Sequence, residues 1–390
     1  MTQNDSSADN AALFQHGALE PDPRMKLGIP KETVAGESRV ATTPEIAKRL
    51  VADGIDVLLE KGAGEASHFV DAAYAEVGVR LADRAEVLAA DIVAKVRKPS
   101  AEEVAQMREG AVFIGHVETC DEDPVIAAMH ARSITVIGME RIPRISRAQS
   151  MDALSSQSNI AGYRAVIEAA NHFGRFVPLM MTSAGSAKPA RVVVLGAGVA
   201  GLQAIATARR LGGDVHAYDV RPETREQIES LGAKVIELDI GEGGSGEGGY
   251  ARELSDEGKA RQQAMLADEL AKAHIIVSTA LIPCRPAPVL ITEDVVKRMR
   301  EGSVIVDLAA ATGGNCPLTE CGKVVTRHGV ILVGYTNYPA MMPSDASSFY
   351  AKNIANLLAI MLDRSDDAVT LKDLDEDEIT REAQLRAPAA

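Results

Sequence analysis

Residues 191–201 read Arg-Val-Val-Val-Leu-Gly-Ala-Gly-Val-Ala-Gly, an apolar run that ends in glycines at 196, 198 and 201. No other stretch of the chain restricts its fold as much. The apolar run reads as a strand buried on both faces, and residues 202–211 read as a helix. Gly196 permits a tight turn, Gly198 leaves room for a pyrophosphate to approach the backbone, and Gly201 lets the helix pack close to its strand. The helix start then offers unpaired N–H groups and partial positive charge to phosphate. Strand, glycine spacing and helix together specify a doubly wound α/β domain that binds a dinucleotide at the carboxyl ends of its strands.

Asp219 closes the next strand, 18 residues after Gly201. An acidic side chain there accepts hydrogen bonds from ribose hydroxyls and repels a 2′-phosphate, which predicts NAD(H) rather than NADP(H) as the cofactor. Arg221, two residues on, carries a charge that would tolerate such a phosphate, so the preference stays open at this level. The expected cofactor contacts are Gly196, Ala197, Gly198, Val199, Ala200, Gly201, Asp219, Val220, Arg221, Ala280 and Leu281.

Further strands are expected at 215–218, 234–237, 275–278, 304–307 and 330–333. With the first they make six, the count of a full dinucleotide-binding domain. Upstream, 25–29, 57–59, 92–96, 112–115 and 134–138 alternate with apolar residues at helical spacing, which predicts a second α/β unit with a mainly parallel sheet. Long helical segments near 157–173 and 344–362 flank the glycine-bearing unit. The expected fold is therefore α/β: two Rossmann-like, doubly wound parallel-sheet domains linked by long helices around a cleft that can close. Residues 1–24 read as a polar, disordered extension. Residues 25–160 with 345–390 read as a discontinuous first domain, and 161–344 as the NAD(H)-binding domain.

Apolar residues make up 46% of the chain and charged residues 25%, an ordinary globular balance. A net charge of -14 disfavours nucleic acid and anionic lipid as partners. No apolar run approaches the roughly 18–20 residues of a membrane span, so direct membrane insertion is not expected. The four cysteines form no Cys-x-x-Cys pair; no metal site is expected, and a reduced cytoplasmic setting fits. Residues 241–249 contain six glycines in nine, and Tyr250 follows. That composition builds no packed element and reads as a flexible connection or as a mobile lid over the cofactor.

Five blocks carry a family resemblance: Gly28-Ile-Pro-Lys-Glu32; Glu37-Ser-Arg-Val-Ala41 with Thr43-Pro44; Lys95-Val-Arg-Lys-Pro99; the run from Arg144 to Tyr163; and Ala309-Ala-Ala-Thr-Gly-Gly-Asn-Cys316. Over about residues 25–362 the chain resembles the NAD(H)-binding alpha subunit of bacterial proton-translocating NAD(P) transhydrogenases, and their relatives the alanine dehydrogenases. The resemblance implies that Arg144, Gln149, Asp152 and Ser155 form a catalytic loop. They would hold the carboxamide and ribose at the nicotinamide end and meet the nucleotide of a partner subunit. It also implies that Tyr250 lies over the bound nucleotide. The residue types suit these tasks. Asp152 or Ser155 equally suits the N-cap of the helix that follows. By the same resemblance the chain is a homodimer. It works with NADP(H)-binding and transmembrane subunits, which hold it at the cytoplasmic side of the inner membrane.

Deamination of an amino acid, as in the dehydrogenases, needs a carboxylate anchor, a Lys, a His and an Asp. By resemblance Arg39 and His116 stand at two of these positions. The Lys position reads Arg97, which stays charged and exchanges no protons, and the Asp position reads Ala311. Hydride transfer between two nicotinamides needs oriented rings and exclusion of water rather than a proton-exchanging side chain. The expected activity is thus a Re/Si-specific transhydrogenase that passes hydride between NADH and NADP+ on a partner, coupled to proton movement. His116 is then expected to be a structural histidine, and Arg39 a buried ion-pair partner. The alternatives are a stand-alone alanine-dehydrogenase-like oxidoreductase and a non-enzymatic NAD-sensing module.

Overall fold

Runs of branched apolar residues that are covered on both faces build the centres of two sheets. The computed structural model describes residues 24–118, 123–238, 256–282, 284–364 and 368–386. The extension up to residue 23, the glycine-rich run 241–249 and Tyr250 lie outside the described residues.

The first sheet opens with β1 (Lys26–Ile29), β2 (Asp56–Glu60), β3 (Arg80–Ala82), β4 (Ile92–Ala94), β5 (Val112–Gly115) and β6 (Thr135–Gly138). A small hairpin follows, β7 (Met180–Thr182) with β8 (Gly185–Ala187). The second sheet comprises β9 (Arg191–Leu195), β10 (Asp214–Tyr218), β11 (Lys234–Val235), β12 (Ile275–Ser278), β13 (Val304–Asp307), β14 (Val324–Arg327) and β15 (Val330–Val333). The chain ends through a second hairpin, β16 (Leu362–Arg364) with β17 (Val369–Leu371), and then β18 (Gln384–Leu385).

Strand order is β18-β6-β5-β4-β1-β2-β3 in the first sheet and β11-β10-β9-β12-β13-β15-β14 in the second. Pairing is parallel except at β18 and β14, the antiparallel edges. Counted within the second sheet alone, the six parallel strands run 3-2-1-4-5-6, the dinucleotide-binding order, and they reverse direction of travel beside β9. Both domains are thus Rossmann-like.

Three edge strands were not expected from sequence: β3, β14 and β18. Each is short and mostly exposed or half-buried, so none carries the buried-run signal that marks the central strands. β11 is shorter than the expected 234–237. The helix after the glycines spans Val199–Arg210, three residues ahead of the expected start, because Gly198 itself serves as N-cap in an extended conformation.

Helix starts follow local chemistry. Thr43, Asp83, Asp123, Asp152, Thr292 and Asp377 each accept a first-turn N–H, and Ser100 with Glu103 forms a capping box. Two long helices, Ala153–His172 and Pro343–Met361, join the two sheets and pack against each other. Between them Ser156 Oγ donates to Asn353 Oδ1 at 2.8 Å, and Gln157 Nε2 donates to the Ala346 carbonyl at 3.1 Å. From the second helix onward Tyr350, Ile354, Leu357, Leu374, Ile379 and Ala383 lie in the core of the first sheet. Ala165, Val166 and Ala169 of the first helix lie in the core of the second sheet with Val192 and Val194. Among the described residues no helix is long and apolar enough to cross a membrane.

Candidate functional site

The glycine turn after β9 explains its own composition. Gly196 has φ +91°, and a Cβ there would sit 2.6 Å from Thr279 Oγ1. Thr279 Oγ1 in turn donates to the Leu195 carbonyl at 3.0 Å and the Gly196 carbonyl at 3.3 Å, tying the turn to the end of β12. A Cβ on Gly201 would fall 1.9 Å from the Gly196 carbonyl oxygen, so only glycine lets the helix start against its own strand. Gly198 differs: a Cβ there would meet nothing within 4 Å. Its glycine leaves open space beside a helix N-terminus that no side chain caps. An uncapped start of a 12-residue helix facing open space is a place for an anion.

Asp219, the residue after β10, faces that turn. Its Oδ2 accepts the Ala197 N–H at 2.6 Å. Its Oδ1 accepts the Arg221 N–H at 2.9 Å, and the Arg221 guanidinium forks onto both oxygens, Nε to Oδ1 and Nη2 to Oδ2, each at 3.0 Å. Burial alone would raise the Asp219 pKa. The Arg221 guanidinium and the two N–H donors outweigh it and hold the carboxyl below the usual range. Val220 and Leu281 are exposed apolar side chains that follow β10 and β12, the strands on either side of β9, and Val199 is exposed at the helix start. Ala280 is half-buried beside Leu281. All eleven described residues of the expected cofactor set therefore stand at the carboxyl ends of three adjacent strands.

The loop that follows β12 is braced from below by a residue that sequence reasoning left without a role. Asn315 is fully buried. Its Oδ1 accepts from Ser278 Oγ at 2.6 Å, and its Nδ2 donates to the carbonyls of Ala280 at 2.8 Å and Pro288 at 2.9 Å. Every polar atom of the side chain is used, and the segment carrying Ala280 and Leu281 is held to the sheet.

Arg144 and Gln149 are exposed, before and on the 3₁₀ helix Ser146–Met151 respectively. Asp152 caps the long helix: Oδ1 accepts the Ser155 N–H at 2.8 Å, and Oδ2 accepts the Ser155 hydroxyl at 2.5 Å. Of the two capping candidates, the structure assigns the role to Asp152. This same helix joins the loop to the glycine turn. A Cβ on Gly162 would lie 2.0 Å from the Ala200 carbonyl oxygen, and Asn159 Nδ2 donates to Gln203 Oε1 at 3.3 Å. Gly162 is thus a further residue that positions the site. A glycine in mid-helix is its sequence signal, but nothing in the sequence names Ala200 as the neighbour.

The residues related to amino-acid deamination are committed elsewhere. Arg39 is buried and forks onto Glu37, Nε to Oε1 and Nη2 to Oε2, both at 2.7 Å, while its Nη1 donates to Gln157 Oε1 at 2.9 Å. Arg97 Nε reaches the same Glu37 at 2.9 Å, and Asn337 Nδ2 adds a third contact at 3.1 Å. Burial acts to raise the Glu37 pKa, but these cations, Arg39 foremost, bring it to about 2. Beside it burial pushes Glu32 up to about 7, against the Lys95 ammonium 3.6 Å away. His116 is buried, stacks on Tyr350 with ring centroids 5.4 Å apart, and sits 3.5 Å from Glu140. Ala311 lies in the short turn Ala310–Thr312 and brings no titratable group.

Comparison with known proteins agrees with this geometry. The family model "Alanine dehydrogenase/PNT, N-terminal domain" matches residues 28–161, and "Alanine dehydrogenase/PNT, C-terminal domain" matches 165–384. The chain is 49% identical over 378 residues to an NAD(P) transhydrogenase alpha-subunit chain of Rhodospirillum rubrum, covering 94% of this chain and 98% of that protein. The crystal structure of transhydrogenase from Sinorhizobium meliloti superposes with a TM-score of 0.84 at 44% identity, over 92% of this chain and 98% of that one. An L-alanine dehydrogenase superposes with a TM-score of 0.76 at 25% identity, over 92% and 94% of the two chains. The chain belongs to the alanine dehydrogenase/PNT family of nicotinamide-nucleotide-binding proteins, and within it to the NAD(P) transhydrogenase alpha subunits.

Proposed function

We propose that this chain is the NAD(H)-binding subunit of a proton-translocating, Re/Si-specific NAD(P) transhydrogenase. In this reading it is a homodimer, held at the cytoplasmic face of the inner membrane by transmembrane and NADP(H)-binding partner subunits. The Rhodospirillum rubrum relative is named as one portion of an alpha subunit, which supports a division of the enzyme among several chains. Functionally the chain divides into residues 25–160 with 345–390, and 161–344.

The open backbone at Gly198 and the uncapped helix start suit a pyrophosphate, flanked by Gly196, Ala197, Val199, Ala200 and Gly201. Asp219 takes the adenosine ribose, and Val220, Ala280 and Leu281 line the adenine side. When bound, the nicotinamide carries the hydride exchanged with a second nicotinamide nucleotide on the partner. Ser155 already donates its hydroxyl proton to Asp152, which leaves its oxygen lone pairs to accept from a carboxamide. Gln149 and Arg144, both exposed, orient the nicotinamide end and meet the partner. Tyr250 covers the nucleotide.

The observation that carries this reading over an amino-acid dehydrogenase is the state of the acid/base set. Position 311 is an alanine, and Arg39 and Arg97 are both engaged by Glu37. The test is hydride transfer from NADH to an NADP analogue, with and without a purified NADP-binding domain of a transhydrogenase. Transfer is expected only with that domain. NADH consumption by the chain alone with pyruvate and ammonia would overturn the proposal. Gln149→Ala is expected to slow single-turnover transfer roughly tenfold at unchanged NADH affinity, because alignment rather than binding is lost. A loss of affinity at an unchanged transfer rate would contradict the role given to Gln149.

A further inference from the structure

Gln149 stands between two apolar pins. Ala148 and Met151 are buried in the core of the first sheet, while Gln149 and Ser150 between them are exposed. A 3₁₀ turn has poorer hydrogen-bond geometry than an α-helix, so its own backbone gives it little rigidity. The Ser150 carbonyl supplies what the turn lacks. It accepts two side-chain amides from the helix Pro343–Met361, Asn353 Nδ2 at 2.9 Å and Asn356 Nδ2 at 3.1 Å. The two asparagines are three residues apart and share one face of that helix. Arg147 also pairs with Asp377, at 2.6 and 2.8 Å, but that pair is largely exposed and adds little.

Asn353 does more than hold the carbonyl. It is buried, and its Oδ1 accepts the Ser156 hydroxyl at 2.8 Å. One amide thus bridges Ser150, ahead of the Asp152 cap, and Ser156, behind it. A carbonyl can only accept, so Ser150 fixes which way the Asn353 amide faces. Gln157 continues the frame: Nε2 donates to Ser156 Oγ at 3.3 Å and to the Ala346 carbonyl, and Oε1 accepts from Arg39, itself forked onto Glu37. Every polar atom of both side-chain amides is used. A buried polar network satisfied to this degree specifies one arrangement of the backbone it holds.

Taking the reading of the loop from Arg144 to Ser155 above as given, we propose that Asn353, assisted by Asn356, is a positioning residue for hydride transfer. Through the Ser150 carbonyl it sets the direction in which the neighbouring Gln149 presents its amide to the nicotinamide end of the nucleotide. It acts on the reaction through Gln149 alone.

The experiment follows single-turnover transfer from NADH to an NADP analogue, using the full chain and a purified NADP-binding domain of a transhydrogenase. Calorimetry gives NADH affinity, and thermal melts verify folding. Asn353→Ala is expected to slow transfer roughly tenfold, with NADH affinity within about twofold of wild type. Asn356→Ala removes the more distant donor from a half-buried position and should slow transfer roughly threefold. It carries the same test should Asn353→Ala fail to fold. The decisive readout is the cycle with Gln149→Ala: in that background either asparagine variant should cost less than about a further twofold.

A folded Asn353→Ala chain that transfers at the wild-type rate overturns the proposal. So do losses that multiply in the double variants, because they would come from general loosening of the domain. A loss of NADH affinity at an unchanged transfer rate overturns it too. If Gln149→Ala itself leaves transfer unaltered, the underlying reading of the loop fails and takes the proposal with it.

Discussion

Alanine at position 201 should lower the unfolding midpoint by about 6–12 °C and weaken NADH binding by at least roughly a hundredfold. The added Cβ would lie 1.9 Å from the Gly196 carbonyl oxygen and 2.8 Å from its carbon, both backbone atoms. Neither can turn aside as a flexible side chain would. Gly196 is held at φ +91°, and its carbonyl is tied to Thr279. The helix Val199–Arg210 must therefore lift off β9. Overpacking of this kind costs about 3 kcal/mol or somewhat more, and at roughly 2–4 °C per kcal/mol for a domain of this size the midpoint falls by the amount stated. Affinity suffers further because the displaced N–H groups at the helix start are those proposed to meet the pyrophosphate. Calorimetry and a thermal melt check both effects. An unshifted melt with affinity within a factor of two of wild type would show that the turn has slack the geometry denies.

Glu103→Ala is expected to destabilise the first domain by about 3–5 kcal/mol, the usual consequence of stranding a buried charge. The Lys95 ammonium is fully buried and donates to Glu103 at 2.7 and 2.9 Å; the next carboxylate, Glu32, is 3.6 Å away. Glu103 also accepts the Ser100 N–H at 2.7 Å and pairs with Arg84, so its removal frees a helix cap as well. Lys95→Met in the Glu103→Ala background should restore most of the loss, because the destabilisation lies in the unpaired cation rather than in the missing contact. The melts of wild type, single and double variants decide this. A double variant no more stable than Glu103→Ala would place the cost in the cap instead. The pair matters to the site through its neighbours: the Lys95 carbonyl accepts the Tyr350 hydroxyl at 2.8 Å, and Tyr350 is the ring on which His116 stacks.

Local physics made much of this molecule readable in one dimension. Gly201 must be glycine because of the Gly196 carbonyl five residues before it, so that part of the glycine spacing carries its own steric reason. The central strands are covered on both faces, and their unbroken apolar runs say so. Asp152 caps the helix that follows it by accepting from Ser155, three residues on, and that role was open to view in the spacing. The Ala311 and Arg97 substitutions could be seen against the family pattern before any coordinates.

Contacts between distant residues were not readable in this way. Gly162 has to be glycine because of Ala200, and Asn315 has to be an amide because of Ser278, Ala280 and Pro288. Nothing along the chain announces such neighbours. The edge strands β3, β14 and β18 are too short and too exposed to leave a periodic trace, and β18 exists because β6 offers it an edge. Arg221 illustrates the division most clearly. Its position two residues after Asp219 left open whether it invites a phosphate or excludes one. Folding curls the guanidinium onto both oxygens of that carboxylate, which neutralises it there. Residue type and spacing determine which chemistry is available at a site; the packing of distant segments determines which lone pairs and charges are already taken, because burial makes each unsatisfied group too costly to leave without a partner.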